Sequence, residues 1–131
     1  MYDEEITTGK VLVVDDDLQI LRLIRRGLES SDMNLEIFTT NKGSEAPVLC
    51  ENVMPDIVIL DILIPGENTC QIISQICDDS NKAKPLIMLI SGHYGEIKRM
   101  IEYGADDFLT KPFEISILIK KVREMLRGRN S

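Results

Sequence analysis

Val11-Leu-Val-Val-Asp-Asp-Asp17 sets four apolar residues directly against three carboxylates. An unbroken apolar run of that length, mostly β-branched, fits a strand buried on both faces better than an alternating surface strand. Comparable runs rich in branched or aromatic residues recur at Leu35–Phe38, Ile57–Leu60, Leu86–Ile90 and, more briefly, Phe108-Leu109. Between them the apolar residues switch to helical spacing, as in Ile20, Leu21, Ile24 and Leu28, and later Ile115, Leu118, Ile119, Val122, Met125 and Leu126. Strand and helix thus alternate five times. Near-continuous apolar strands joined by helical crossovers predict an α/β fold, a doubly wound five-stranded parallel sheet with helices on both faces.

The boundaries carry their own signals. Asp17 is placed to cap the first helix, Asn41 the second and Asn68 the third, while Pro55, Pro85 and Pro112 fall in connections. Pro47 falls early in the second helix, where only the first turn tolerates it. The chain has 131 residues, enough for one core, and shows no linker or repeat, so a single domain over 1–131 is expected. Its structured core should run from about residue 9 to about 127, with a frayed end at Arg127–Ser131 and no output domain. No basic-then-apolar leader and no membrane-length apolar run is visible, so a cytoplasmic location is expected. A net charge of −7 argues against direct nucleic-acid binding, which needs a basic face. Cys50, Cys70 and Cys77 are odd in number, and the last two would lie roughly 10 Å apart on one helix, too far to bridge. They read as small buried hydrophobes.

The polar residues that matter follow the strands. Asp15 and Asp16 come after the first strand, Asp61 after the third, Ser91 after the fourth and Lys111 after the fifth. In a flavodoxin-like order 2-1-3-4-5, the first and third strands are neighbours about 4.8 Å apart, and their carboxyl ends form the switch point where such folds bind ligands. Carboxylates meeting there suit a hard cation. Mg²⁺ takes one or two carboxylates and keeps its remaining sites for water and phosphate oxygens, and Asp16 and Asp61 can supply the pair. A carboxylate beside such an ion can also attack phosphorus, with Lys111 as the balancing cation and the Ser91 hydroxyl as a hydrogen-bond donor to a phosphoryl oxygen.

Three ordered stretches give the chain a resemblance to the receiver domain of two-component response regulators over nearly its whole length. Val11–Asp17 resembles that family's strand ending in acids, Asp61-Ile-Leu-Ile-Pro-Gly66 its phosphoacceptor loop, and Gly104-Ala-Asp-Asp-Phe-Leu-Thr-Lys-Pro-Phe113 its lysine loop. The resemblance implies a phosphorelay switch that takes a phosphoryl group from a sensor histidine kinase or phosphotransfer protein. Such a domain catalyses only its own phosphorylation and dephosphorylation. Asp61 would be the phosphoacceptor, Asp16 a direct Mg²⁺ ligand, Asp15 a ligand through water, and the Leu63 backbone carbonyl the third protein ligand. Ser91 would be the switch hydroxyl, Phe108 the aromatic that follows it, and Leu63 and His93 the gatekeepers of water access. The Lys111–Pro112 bond would be cis. Asn68 and Thr69 depart from the family, standing where it often has Asp-Gly.

Two other activities fit less well. A haloacid-dehalogenase-like phosphatase would use the Asp15-x-Asp17 spacing, but Leu18 and Gln19 do not continue that motif. Flavin binding of the flavodoxin kind needs a phosphate loop where three aspartates would repel phosphate. An unphosphorylated receiver-like adaptor would need none of the groups that are present. For self-association, the last helix carries Lys120, Lys121 and Arg123 and the fifth-strand region Asp106 and Asp107, so the face built from the fourth helix, fifth strand and fifth helix is expected to be able to pair with its own copy.

Overall fold

The computed structural model describes residues 5–62, 64, 66–78, 84–92 and 94–129. The strands are β1 (Thr8–Val14), β2 (Asn34–Thr40), β3 (Ile57–Asp61), β4 (Leu86–Ser91) and β5 (Asp107–Thr110). The helices are α1 (Leu18–Glu29), α2 (Ala46–Val53), α3 (Thr69–Ile76), α4 (Tyr94–Ile101) and α5 (Ile115–Arg129). The five strands form one parallel sheet in the order β2-β1-β3-β4-β5, as the alternation of patterns predicts.

Side chains alternate across a strand, so each apolar run feeds two cores. Leu12, Val14, Val58, Leu60, Ile87 and Leu89 face α2, α3 and α4, where Cys50, Ile72, Ile73, Ile76, Ile97 and Met100 meet them. Val11, Val13, Ile57, Ile59, Met88, Ile90 and Leu109 face the other way, onto Leu21, Ile24 and Leu28 of α1 and Leu118, Val122 and Leu126 of α5. The central strand β3 is wholly buried, which is why its sequence carries no polar alternation.

Asp17 caps α1, its carboxylate accepting from the Gln19 N–H at 2.9 Å, and Asn68 caps α3 by accepting from the Gln71 N–H at 3.1 Å. Asn41 does not cap α2, contrary to expectation. A 3₁₀ turn at Gly43–Glu45 precedes that helix, and the buried Thr40 organises the approach instead. The Thr40 hydroxyl accepts from the Lys42 N–H at 3.1 Å and donates to Glu45 Oε1 at 2.8 Å, moving the start of α2 to Ala46. Pro47 then falls in the first turn, where its missing N–H has no helical acceptor to lose.

The expected fraying at Arg127 is also corrected, because α5 continues to Arg129. Arg127 Nε donates to Thr7 Oγ1 at 3.2 Å, and Arg129 lies 3.7 Å from Asp56 Oδ1. These side chains fasten the last turn to the amino-terminal edge of the sheet. The three cysteines are free thiols. Burial pushes the Cys50 thiol up to about 11 and raises that of Cys77 as well, so neither is a ready nucleophile. No helix among the described residues is long and apolar enough to cross a membrane.

Helices α1 and α5 approach each other at Gly27. A Cβ there would run into Ile115 Cγ1, the branch nearest that residue's backbone rather than a mobile tip. Alanine in a helix interior normally gains about 1 kcal/mol over glycine, whereas an overpacked contact costs about 1–3 kcal/mol. The steric term wins here, so Gly27→Ala should lower the thermal midpoint. A midpoint raised by the substitution would show that α5 yields without cost.

Candidate functional site

The site lies at the carboxyl ends of β1, β3, β4 and β5. Val14 pairs with Leu60, so the residues that follow, Asp15 and Asp61, emerge side by side from adjacent strands. Asp15 and Asp61 are buried and Asp16 is exposed, and ligand oxygens of all three lie within 4.8 Å of one another. Lys111 reaches in from the end of β5, its Nζ 3.3 Å from Asp15 Oδ2 and 3.3 Å from Asp61 Oδ2. The lysine is itself tethered, because its backbone N–H donates to the Ser91 carbonyl at 2.8 Å. Asp15 is held by the Asp17 N–H, which donates to Oδ1 at 2.9 Å, and by its own N–H, which donates to the Thr40 carbonyl at 3.3 Å.

The electrostatics follow from burial. Desolvation pushes the Asp15 carboxyl up to about 6, against the hydrogen bond from Asp17; the Asp61 charge adds to the rise and Lys111 opposes it. Burial works against the Lys111 ammonium too, but the Asp61 and Asp15 carboxylates outweigh it and its pKa is raised. Two of the three clustered carboxylates thus contact one cation, and the three together are a donor set of hard oxygens that fits a small divalent ion and leaves negative charge for it to neutralise.

Of the residues singled out in the sequence, the fold brings Asp15, Asp16, Asp61 and Lys111 together. Ser91 is buried at the end of β4, opposite Thr110 in register. Phe108 is half-buried on β5 and packs against the core shared with α2, α3 and α4. Leu63 and His93 lie outside the described residues. The Lys111–Pro112 peptide is cis, as the resemblance implies. Two residues went unremarked for this role. Thr40 supports Asp15 from β2, and Thr69, buried at the start of α3, donates its hydroxyl to the Ile62 carbonyl at 2.6 Å. Nothing in their spacing distinguishes them from ordinary turn threonines.

The combination is a doubly wound α/β domain with a lysine-bridged acidic pocket at its strand ends. The chain belongs to the response regulator receiver domain family, whose pattern matches residues 11–123. Such domains are signalling modules of two-component systems. Among curated relatives, the transcriptional regulatory protein PrrA of Mycobacterium tuberculosis is 32% identical over 129 residues, covering 98% of this chain and 54% of PrrA. The probable transcriptional regulator ycf27 of Guillardia theta is 38% identical over 128 residues, covering 95% of this chain and 48% of ycf27. The chain therefore spans about half the length of the curated relatives it matches. Among solved structures, the chemotaxis response regulator CheY4 of Vibrio cholerae superposes with a TM-score of 0.78 at 25% identity, covering 91% of this chain and 99% of that one.

Proposed function

We propose that the chain is a phosphoacceptor switch in which Asp61 receives a phosphoryl group from a phosphohistidine of a sensor histidine kinase or phosphotransfer protein. The observation that carries this reading is Lys111 Nζ standing 3.3 Å from both Asp15 and Asp61, with Asp16 completing the carboxylate cluster. In the transfer an Asp61 carboxylate oxygen forms the new P–O bond as the donor's P–N bond breaks, and the released imidazole nitrogen keeps the bonding pair and takes up a proton. Lys111 offsets the charge on the transferring group, and the Ser91 hydroxyl donates to one of its oxygens. Asp16, Asp61 and the Leu63 carbonyl would hold Mg²⁺ directly and Asp15 through water. When bound, the ion neutralises charge on the phosphoryl oxygens. Leu63 and His93 are the proposed gatekeepers of hydrolysis. The domain catalyses only its own phosphorylation and dephosphorylation, in the cytoplasm.

Intact mass after incubation with acetyl phosphate and Mg²⁺, followed by mapping of the adduct, tests the reading. A single phosphoryl group on Asp61 supports it, and an adduct on Asp15 would favour the phosphatase alternative.

Self-association through the α4–β5–α5 face is a further part of the proposal, but four of the five charges named for it are engaged within the chain. Lys121 pairs with Asp107 at 3.1 Å, Arg123 with Asp32 at 2.6 Å, and Asp106 Oδ2 accepts from the Ile87 N–H at 2.8 Å.

The cation should be visible in stability. Binding to the folded state alone adds about 2.7 kcal/mol at a hundredfold excess over Kd, so Mg²⁺ should raise the thermal midpoint of the wild type. Asp16→Ala should lose that response and, relieved of one repelling carboxylate, melt higher than the wild type without metal. A lower metal-free midpoint for Asp16→Ala would contradict the repulsion argument.

A further inference from the structure

The connection that follows Asp61 is fastened at a point the phosphoacceptor chemistry does not require by itself. Ile62, the next residue, has both of its backbone polar groups engaged: its N–H donates to the Ile90 carbonyl in β4 at 3.1 Å, and its carbonyl accepts the Thr69 hydroxyl at 2.6 Å. The second bond spans seven residues and is buried. Thr69 sits on the first turn of α3, a helix anchored by the buried Ile72, Ile73 and Ile76 and capped by Asn68. Its hydroxyl therefore ties the flank of Asp61 to a fixed part of the core.

We infer that Thr69 is a positioning residue for phosphoryl transfer, its buried hydroxyl holding the Ile62 peptide and so the direction in which Asp61 leaves β3; this rests on Asp61 being the phosphoacceptor. In-line attack on phosphorus needs the nucleophilic oxygen held within narrow limits, and a loosened flank spreads its orientations. A threonine in a first helical turn also commonly satisfies a nearby carbonyl with no functional consequence. The two roles differ in what they move. A purely structural bond affects stability, whereas a positioning bond affects the rate of transfer at temperatures where the protein is fully folded.

The test compares Thr69→Val, which keeps the shape and removes the hydroxyl, with Thr69→Ser, which restores it. Phosphorylation by acetyl phosphate with Mg²⁺ is followed at saturating donor, and exchange of the Ile62 amide is followed by NMR in the unphosphorylated protein. Thr69→Val should slow transfer on the order of tenfold, the factor a single buried hydrogen bond commonly commands, and speed Ile62 exchange, with Thr69→Ser returning both towards wild type. Val122→Ala, a core truncation on the opposite face of the sheet, should lower the thermal midpoint without slowing transfer. Wild-type rates in Thr69→Val, or equal slowing in Val122→Ala, would overturn the positioning role. A wild-type protein that takes no phosphoryl group on Asp61 would instead overturn the phosphoacceptor reading, and this role with it.

Discussion

Asp61→Asn should abolish the phosphoryl adduct formed with acetyl phosphate and Mg²⁺ while leaving the fold intact. The amide matches the carboxylate in shape, so the packing around this buried residue at the end of β3 has no reason to change. Its oxygen lacks the negative charge and the nucleophilicity that attack on phosphorus demands. The substitution also removes one of the two carboxylates that Lys111 bridges, leaving Asp15 as its remaining partner at 3.3 Å. With one like charge fewer in the cluster, the loss of that contact is offset, and the thermal midpoint should stay close to that of the wild type. Intact mass reads the first expectation and a thermal melt the second. An adduct at full yield in Asp61→Asn would end the assignment of Asp61. An adduct lost together with cooperative melting would mean that the variant had unfolded, and Asp61→Glu, which keeps the charge on a longer side chain, would then separate folding from chemistry.

The fold was readable because its evidence is periodic. Runs such as Ile57–Leu60 have nowhere to go except a strand covered on both sides, and the helical stripe from Ile115 to Leu126 fits a helix packed on one side. Strand order then brought Asp15, Asp16 and Asp61 to one place, since residues that end neighbouring parallel strands are neighbours in space, and the long Lys111 side chain reaches them from beyond β4. What the sequence hid is the non-periodic part. Asn41 looked like a cap because short polar residues before a helix usually are, but Thr40 and Glu45 bond to each other first and delay the helix to Ala46. Lys121 and Asp107 read as surface charges available to a second copy, yet they lie 14 residues apart on packed elements and pair with each other. Thr69 shows the same limit. Its bond to Ile62 depends on the path of the loop, and no spacing rule encodes that path.

Ser91→Ala should separate chemistry from output. Phosphorylation can shift a pre-existing equilibrium only by interacting differently with its two states, so some group must sense the new oxygens. Ser91 is the candidate, buried at the end of β4 with its carbonyl already fixing the Lys111 backbone at 2.8 Å. A phosphoryl group on Asp61 adds charge and acceptor oxygens that a hydroxyl gains by approaching. Its inward movement frees space beside β5, where Phe108 is half-buried against the α2–α4 core and has no hydroxyl of its own to keep it at the surface. Burial of the ring would then favour one arrangement of the α4–β5–α5 face, the surface proposed to change on phosphorylation. Alanine removes the sensing group but leaves Asp61, Lys111 and the acidic cluster in place. The variant should therefore still carry its adduct, formed more slowly for want of one hydrogen bond to the phosphoryl oxygens. Its amide chemical shifts around Phe108 should stay near the unphosphorylated positions, while those of the phosphorylated wild type move. If the shifts in Ser91→Ala move as far as in wild type, the hydroxyl does not transmit the signal and this mechanism is wrong.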